Sequence, residues 1–391
     1  MTGTRAEPGS YHPPLTDGWR RRNRWEGVNA WLRPRGSQRS RVGLVAALVV
    51  ALSLALAGMA QASVPRSFFG TVPWLSFQGQ DFQRLEQAKV TNARTPFFWP
   101  TIEPSKGHFD WSGTDRFVGT LALYHVRTLP FLNGSPSWVA GDARHPPLQS
   151  KKAKKSWIRF VKAAVKRYGK KGTFWLLHPT IPKVPITAWQ IWNEMNNTNY
   201  YGPRPKPKAY AKLVRLAKNA ARSVDKHATI VLGGMARDPE PEHSMVASRY
   251  LNKLYKVKGA KRLFNVVAVH PYSPTIRDLK RQMSSLNRVI RHHHDNAKMW
   301  VTEVGWGSAK PNKKYPLLKG VEGQKQMLKK AFRAFIQNRR RWDLKRVYWF
   351  LWRDAAPDAP VNCSFCKSSG LFTYDHRPKP AWQAFLDITH R

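Results

Sequence analysis

Thr187-Ala-Trp-Gln-Ile-Trp-Asn-Glu194 is a β-rich run that ends in a carboxylate, and Lys298-Met-Trp-Val-Thr-Glu-Val-Gly-Trp306 answers it later in the chain. Asp and Glu are depleted in strands, so an acid closing an apolar strand calls for a reason. Counting by twos, Ile186, Ala188, Gln190, Trp192 and Glu194 share one face, as do Met299, Val301 and Glu303. If both strands belong to one parallel barrel, these faces point inward and the two acids meet at the mouth. Two facing carboxylates can divide the work of breaking a glycosidic bond, one as a proton donor and the other as an attacking anion.

Outward from these two runs, short β-rich segments alternate with amphipathic helices. Strands are expected at Ser67 to Trp74, Val90 to Trp99, Thr128 to Leu132, Thr229 to Gly233, Phe264 to His270 and Arg346 to Trp352. With the two acid-bearing strands that makes eight. Trp157, Phe160, Val161, Ala164 and Tyr168 form a stripe at the helical period. Tyr210, Leu213, Val214, Ala217, Ala221 and Val224 form another, as do Leu279, Met283, Leu286 and Ile290. A fourth set, Met327, Leu328, Ala331 and Phe335, precedes the last strand. Strand–helix alternation implies a parallel sheet, because parallel crossovers place helices on its faces. A doubly wound sheet would need a Gly-rich phosphate turn after the first strand, and none is present. Polar or aromatic residues recur at strand ends, at Trp74, Trp99, Asn133, Glu194, His270, Glu303 and Trp352. One rim that collects functional groups is what a (β/α)8 TIM barrel provides.

Charge is the most unusual bulk property: 67 basic against 23 acidic residues, a net +44. Residues 63–391 alone hold 58 basic and 20 acidic residues, so the excess belongs to the folded domain. Such a field favours anionic partners: acidic polysaccharide, cell-wall polymer of the teichoic type, an anionic membrane surface or nucleic acid. Zinc-ligand spacing, an RNA-recognition signature and a basic zipper are all missing, which argues against nucleic acid. Seventeen Trp are present. Their flat faces suit pyranose rings, although burial in the core is the usual fate of Trp.

Residues 1–41 are rich in Arg, Pro and Gly without apolar periodicity and read as a disordered cytoplasmic leader. Arg33, Arg35, Arg39 and Arg41 precede an uncharged apolar run, Val42 to Ala60, and Ala60-Gln-Ala62 fits a signal cleavage site. Residues 42–62 therefore read as an export signal with a mature start at Ser63, with a single-pass signal anchor as the rival. Either form delivers residues 63–391 as one domain outside the cytoplasm, secreted or on the outer face of the membrane. The two cysteines, Cys363 and Cys366, suit a local disulfide in an exported domain.

Several motifs resemble glycoside hydrolase clan A, family 39 and related exported enzymes above all. Trp192-Asn-Glu-Met-Asn196 resembles the Trp-Asn-Glu-Pro-Asn that ends strand four there, with Met195 in place of Pro. Trp300-Val-Thr-Glu-Val-Gly-Trp306 resembles the nucleophile strand and Val269-His-Pro-Tyr272 the strand-six motif. Trp99-Pro-Thr-Ile-Glu-Pro-Ser-Lys-Gly-His-Phe-Asp-Trp111 resembles the stretch after strand two. Together the similarity covers roughly residues 67–388. It implies retaining hydrolysis of a polysaccharide or oligosaccharide without metal or organic cofactor. Glu194 is then the acid/base, with its pKa raised by the nearby Glu303 anion, and Glu303 is the nucleophile. Asn193 would bond the sugar 2-hydroxyl, Arg94 would hold Glu303 ionised, and His270 and Tyr272 would line the pocket, Tyr272 donating to Glu303.

Trp352 or Trp349, whichever faces inward, would floor the sugar subsite, with Trp99, Trp74 and Trp138 as further platforms. His292-His-His294 reads as a solvated helix end and not a metal site, since three consecutive His cannot share one helix face. Lys151-Lys-Ala-Lys-Lys155 and Arg339-Arg-Arg341 read as solvated faces. The competing reading is a barrel without catalysis that binds glycan or anionic wall polymer as a scaffold or adhesin, because fold alone never fixes function.

Overall fold

The computed structural model describes residues 64–73, 77–236, 242–359 and 363–390. The expected leader (1–41), the signal or anchor segment (42–62) and Trp74 lie outside the described residues. Among the described residues no helix is long and apolar enough to cross a membrane.

Eight parallel strands close into a barrel. They are β1 (Phe69–Val72), β2 (Asn92–Phe98), β3 (Arg127–Asn133) and β4 (Ala188–Ile191), then β5 (Thr229–Leu232), β6 (Val266–His270), β7 (Lys298–Val304) and β8 (Leu344–Phe350). Each pairs with its sequence neighbours, β8 returns to β1 through Phe69↔Val347, and Val231↔Val266 joins β5 to β6. A two-residue run past β5, Met235–Ala236, pairs with Val269 and His270 at the end of β6. A helix follows each strand: α1 (Gly79–Gln87), α2 (Ser112–Leu123), α3 (Lys151–Tyr168) and α4 (Pro207–Arg222), then α5 (Ala247–Tyr255), α6 (Ile276–His292), α7 (Gly320–Asn338) and α8 (Pro380–Thr389). This is the (β/α)8 architecture that the alternation implied.

Two apolar layers hold it together. Val72, Leu129, Ala188, Val231, Ala268 and Trp300 are among the side chains that fill the barrel interior. The helix stripes read from the sequence pack on the outer strand faces, with Trp157, Phe160, Leu213, Leu286 and Phe335 all buried. Helix starts follow local rules. Ser150 accepts from the Ala153 amide at the head of α3, Thr275 does the same for Asp278 in α6, and Pro207 opens α4. The Ser150 cap matters because Lys151 and Lys152 put positive charge at the helix end whose dipole disfavours it.

The expected inward faces need correction. Ala188 and Gln190 do point into the barrel, but Trp192 joins Trp189 and Ile191 in the outer layer, and Ile186 lies there too. Trp192 and Glu194 both adopt left-handed backbone, with φ of 69° and 39°, and this breaks the two-residue alternation just past β4. On β7 it is Trp300 and Thr302 that face inward, while Met299 and Val301 face the helices. The register against β8 slips between Val301 and Val304, so Glu303 turns inward directly after Thr302. β8 runs from Leu344 to Phe350, two residues earlier than expected, and Trp352 falls beyond its end.

Candidate active site

At the carboxyl ends of the strands, side chains from β2, β4, β6 and β7 meet. Arg94 of β2 is fully buried, with its guanidinium carbon 4.0 Å from the centre of the Phe131 ring. It donates from Nη1 to Glu303 Oε1 (2.5 Å), from Nε to Gln190 Oε1 (2.7 Å) and from Nη2 to Asn193 Oδ1 (2.8 Å). A buried cation thus has one counter-charge and two neutral acceptors, the condition under which its burial is tolerable. Glu303 Oε2 accepts from the Tyr272 hydroxyl at 2.8 Å. Burial, then the negative charge of Glu303, raises the Tyr272 phenol well above its usual range, so it stays a donor.

Glu194 reaches the same space by a different route. The Trp192 indole is anchored outside the barrel against Trp157 and Tyr201 and donates to the Tyr200 carbonyl (2.7 Å). That anchor, with the Glu194 amide donating to Gly234 O (3.1 Å), holds the left-handed turn that aims the carboxylate inward. Glu194 Oε2 accepts from Asn197 Nδ2 (2.9 Å), and Oε1 lies 2.9 Å from His270 Nδ1. Its pKa is raised from 4.5 to about 7 by burial, against the opposing Asn197 hydrogen bond and Arg94 charge. Burial, and not the neighbouring carboxylate, is therefore what favours the protonated form, which corrects the cause inferred from the sequence.

His270 is buried between the two acids. Its Nε2 lies 3.1 Å from Thr302 Oγ1, which in turn is 3.4 Å from Gln190 Nε2. Burial lowers its pKa to about 3, so the ring is neutral and can bridge without adding charge. A Cβ at Gly234 would sit 1.9 Å from His270 Nε2, so only glycine leaves room for the imidazole.

One oxygen from each acid and a His270 nitrogen all lie within 4.8 Å of one another. About 10% of the Glu194 side chain and 12% of the Glu303 side chain remain exposed, so a ligand can reach both. A nearest approach this short suits the closer class of acid pair, with carboxyl groups about 5–5.5 Å apart. The same three residues are the group best placed among the described residues to ligate a cation. The Arg94 guanidinium on Glu303 already puts a positive charge there, which opposes a second one.

The aromatic assignments fare differently. Trp349 is fully buried in the outer layer beside Trp306 and Phe332 and donates to the Ser369 carbonyl. Trp352 packs against Phe77, Phe372 and Trp382 and donates to Asp81, so neither of these Trp faces the pocket. Trp99 is fully buried, stacked on Phe160 and bonded to Glu103; Trp138 is half-buried and donates to the Glu103 carbonyl. Two other aromatics border the site: Phe350 lies in the barrel interior, edge-on to Tyr272 with centroids 5.9 Å apart, and Tyr200 has its phenol raised by burial and then by the negative charges of Glu194 and Glu303. Phe365 packs on Tyr272 from behind, carried by the turn that the Cys363–Cys366 disulfide closes. Of the three consecutive histidines, His293 is no solvated end: it stacks on Tyr255 and bonds Asn252.

Gln190, Asn197, Thr302 and Phe350 complete the site without having been assigned a part in it. Gln190 and Thr302 carried a readable signal, since a polar residue inside an apolar strand must be satisfied by something. Asn197 and Phe350 carried none beyond proximity to a motif.

No protein-family model and no curated protein matches the sequence. Solved structures do match it in fold. A family 39 glycoside hydrolase from Bacteroides cellulosilyticus WH2 aligns with TM-score 0.58 and 18% identity over 84% of this chain and 65% of that one. A family 39 enzyme from Xanthomonas axonopodis pv. citri gives 0.62 and 14%, covering 85% and 68%. An exo-β-1,4-mannosidase from the Opitutaceae bacterium strain TAV5 gives 0.58 and 15%, covering 83% of this chain and 59% of that one. The chain thus spans less than two thirds of the length of the first and third of these proteins, and at such identities the likeness is one of fold. It is the fold resemblance that the motifs implied.

Proposed function

We propose that the barrel is a retaining glycoside hydrolase acting on an O-glycosidic bond of an extracellular or cell-wall polysaccharide. The observation that carries this reading is the pair of acids within 4.8 Å, one with its pKa lifted to about 7 and the other held by Arg94 and Tyr272. Glu194 donates its proton to the leaving oxygen as the bond from that oxygen to the anomeric carbon breaks, while Glu303 forms an ester to the same carbon. Water then attacks the anomeric carbon, gives a proton back to Glu194 and releases Glu303. Asn193 keeps its amide Nδ2 free to donate to the sugar, since its oxygen is taken by Arg94. Arg94 and Tyr272 orient Glu303, His270 orients Glu194, and Phe350 forms the apolar wall.

The net charge supports an anionic substrate or wall-polymer partner. The leader and apolar run support export, with cleavage before Ser63 preferred to anchoring. Two measurements test these readings. New reducing ends from a panel of polysaccharides should appear with wild type and fall by several orders of magnitude in Glu303→Gln; equal release from both proteins contradicts the mechanism. Mass spectrometry of the amino terminus should find Ser63, and an intact leader in the membrane fraction would favour anchoring instead.

A further inference from the structure

The flank built by α3, α4 and α5 gathers positive charge without compensation. Between Asp142 and Asp225 the only acid is Glu194, which lies in the site, and between Glu242 and Asp278 there is none. Lys208, Lys212 and Arg215 of α4 face Lys253, Lys256 and Lys258, at the end of α5 and just beyond it, across a groove of about 790 Å³. Leu216 and Val257 form its floor, and no carboxylate lines it. The arrangement is braced: Arg215 donates to the Lys258 carbonyl (3.2 Å) and Lys218 to that of Arg262 (2.6 Å). Lys154 of α3 joins the rim, where partial loss of water and then the charge of Lys212 hold its ammonium below the usual range. Lys218 is lowered in the same way, by loss of water and then by Arg222, Arg215 and Arg262. Like charges gathered this way repel one another unless an anion neutralises them, and a chain of anions does so while releasing many small counterions.

We infer that this groove is a docking site for a linear anionic glycopolymer, one that carries phosphate groups along its length: five of its six cations are Lys ammonium groups, point charges that suit phosphate, and only Arg215 offers the planar fork that grips a carboxylate. The shape and chemistry favour that class over its rivals. The exposed aromatics Phe98, Tyr124, Tyr200, Tyr315 and Tyr374 do not line the groove, so it offers no platform for stacking bases. Its apolar atoms form a floor and not a protruding face that could enter a bilayer. The groove lies on the helical flank, whereas Glu194 and Glu303 open at the strands' carboxyl ends, so a docked polymer leaves the mouth free. This gives the anionic-partner reading a surface, and it stands apart from the hydrolysis reading.

The test compares two triple charge reversals with equal change in net charge. Lys212→Glu/Lys253→Glu/Lys256→Glu alters the groove, and Arg277→Glu/Lys280→Glu/Arg288→Glu alters exposed positions on α6. Binding of the full chain to immobilised poly(glycerol phosphate) and to polygalacturonate is measured across salt concentrations, with thermal melting to confirm that both variants fold. The groove variant should lose about tenfold or more in affinity and flatten the salt slope by about three, while the α6 variant stays within about threefold of wild type. Groove-dependent binding to poly(glycerol phosphate) in preference to polygalacturonate is the expected result, and binding only to polygalacturonate would overturn the proposal. Equal losses in both variants, no binding of wild type to either polymer, or tighter groove-dependent binding of duplex DNA or phosphatidylglycerol vesicles would overturn the proposal. None of these outcomes depends on whether Glu303→Gln abolishes release of reducing ends.

Discussion

Glu194 links the chemistry of the site to the stability of the fold. Below its ordinary pKa of 4.5 the carboxyl is protonated whether folded or unfolded, and the full stability of the protonated site is present. As pH rises toward about 7 the unfolded chain releases this proton first, so stability is lost across that window. The loss amounts to about 3 kcal/mol once the folded group has ionised. Glu194→Gln removes that dependence and should therefore be more stable relative to wild type at pH 8 than at pH 4. Denaturant titrations of both proteins at the two pH values check this, and parallel slopes would contradict it. The same group predicts an alkaline fall in kcat/KM centred near pH 7, because only the protonated form can donate. Gly234→Ala drives a methyl into the His270 ring and should lower kcat by about 10² or more, by displacing the bridge to Glu194. Tyr272→Phe keeps the shape but removes a donor to Glu303, and should cost about 10²–10³ in kcat with little change in melting temperature.

Strands and helices are where the sequence was most and least readable. The stripes of α3, α4 and α6 were visible because each must bury one face, and burial imposes a period of 3.6 along many residues. The residues that complete the site sit at strand ends, where a period of 2 holds only while the backbone stays extended. Left-handed turns at Trp192 and Glu194, and the slip between Val301 and Val304, reverse the facing of single residues that counting had fixed. Glu194 and Glu303 converge all the same, because both breaks turn the acid inward. The Trp residues misled for another reason. Trp349 and Trp352 satisfy their indole N–H groups on Ser369 and Asp81 within the packed layers, and nothing in their sequence neighbourhood distinguishes that from a sugar platform. Trp349→Phe should therefore cost part of the about 3–5 kcal/mol of a full Trp truncation while leaving kcat near wild type. Phe350→Ala, at the site wall, should raise KM or lower kcat beyond what its loss of stability explains; steady-state kinetics beside thermal melts separate the two.

On the scale of the whole molecule, eight strands place a polar cluster at one end of a barrel whose outer surface carries a large positive field. That field acts at long range and is screened by salt over about 8–10 Å at physiological strength. Raising salt should thus weaken apparent affinity for a polyanionic substrate by about tenfold or more and leave turnover of a small neutral aryl glycoside nearly unchanged. The central claim concerns the bond formed at the mouth and not the field around it. Incubation with a panel of activated 2-deoxy-2-fluoro glycosides, followed by peptide mass mapping, tests it most directly. A single sugar-mass adduct on the peptide containing Glu303, absent from Glu303→Gln, is the predicted result. An adduct on another residue, or turnover of these glycosides that survives in Glu303→Gln, would contradict the account.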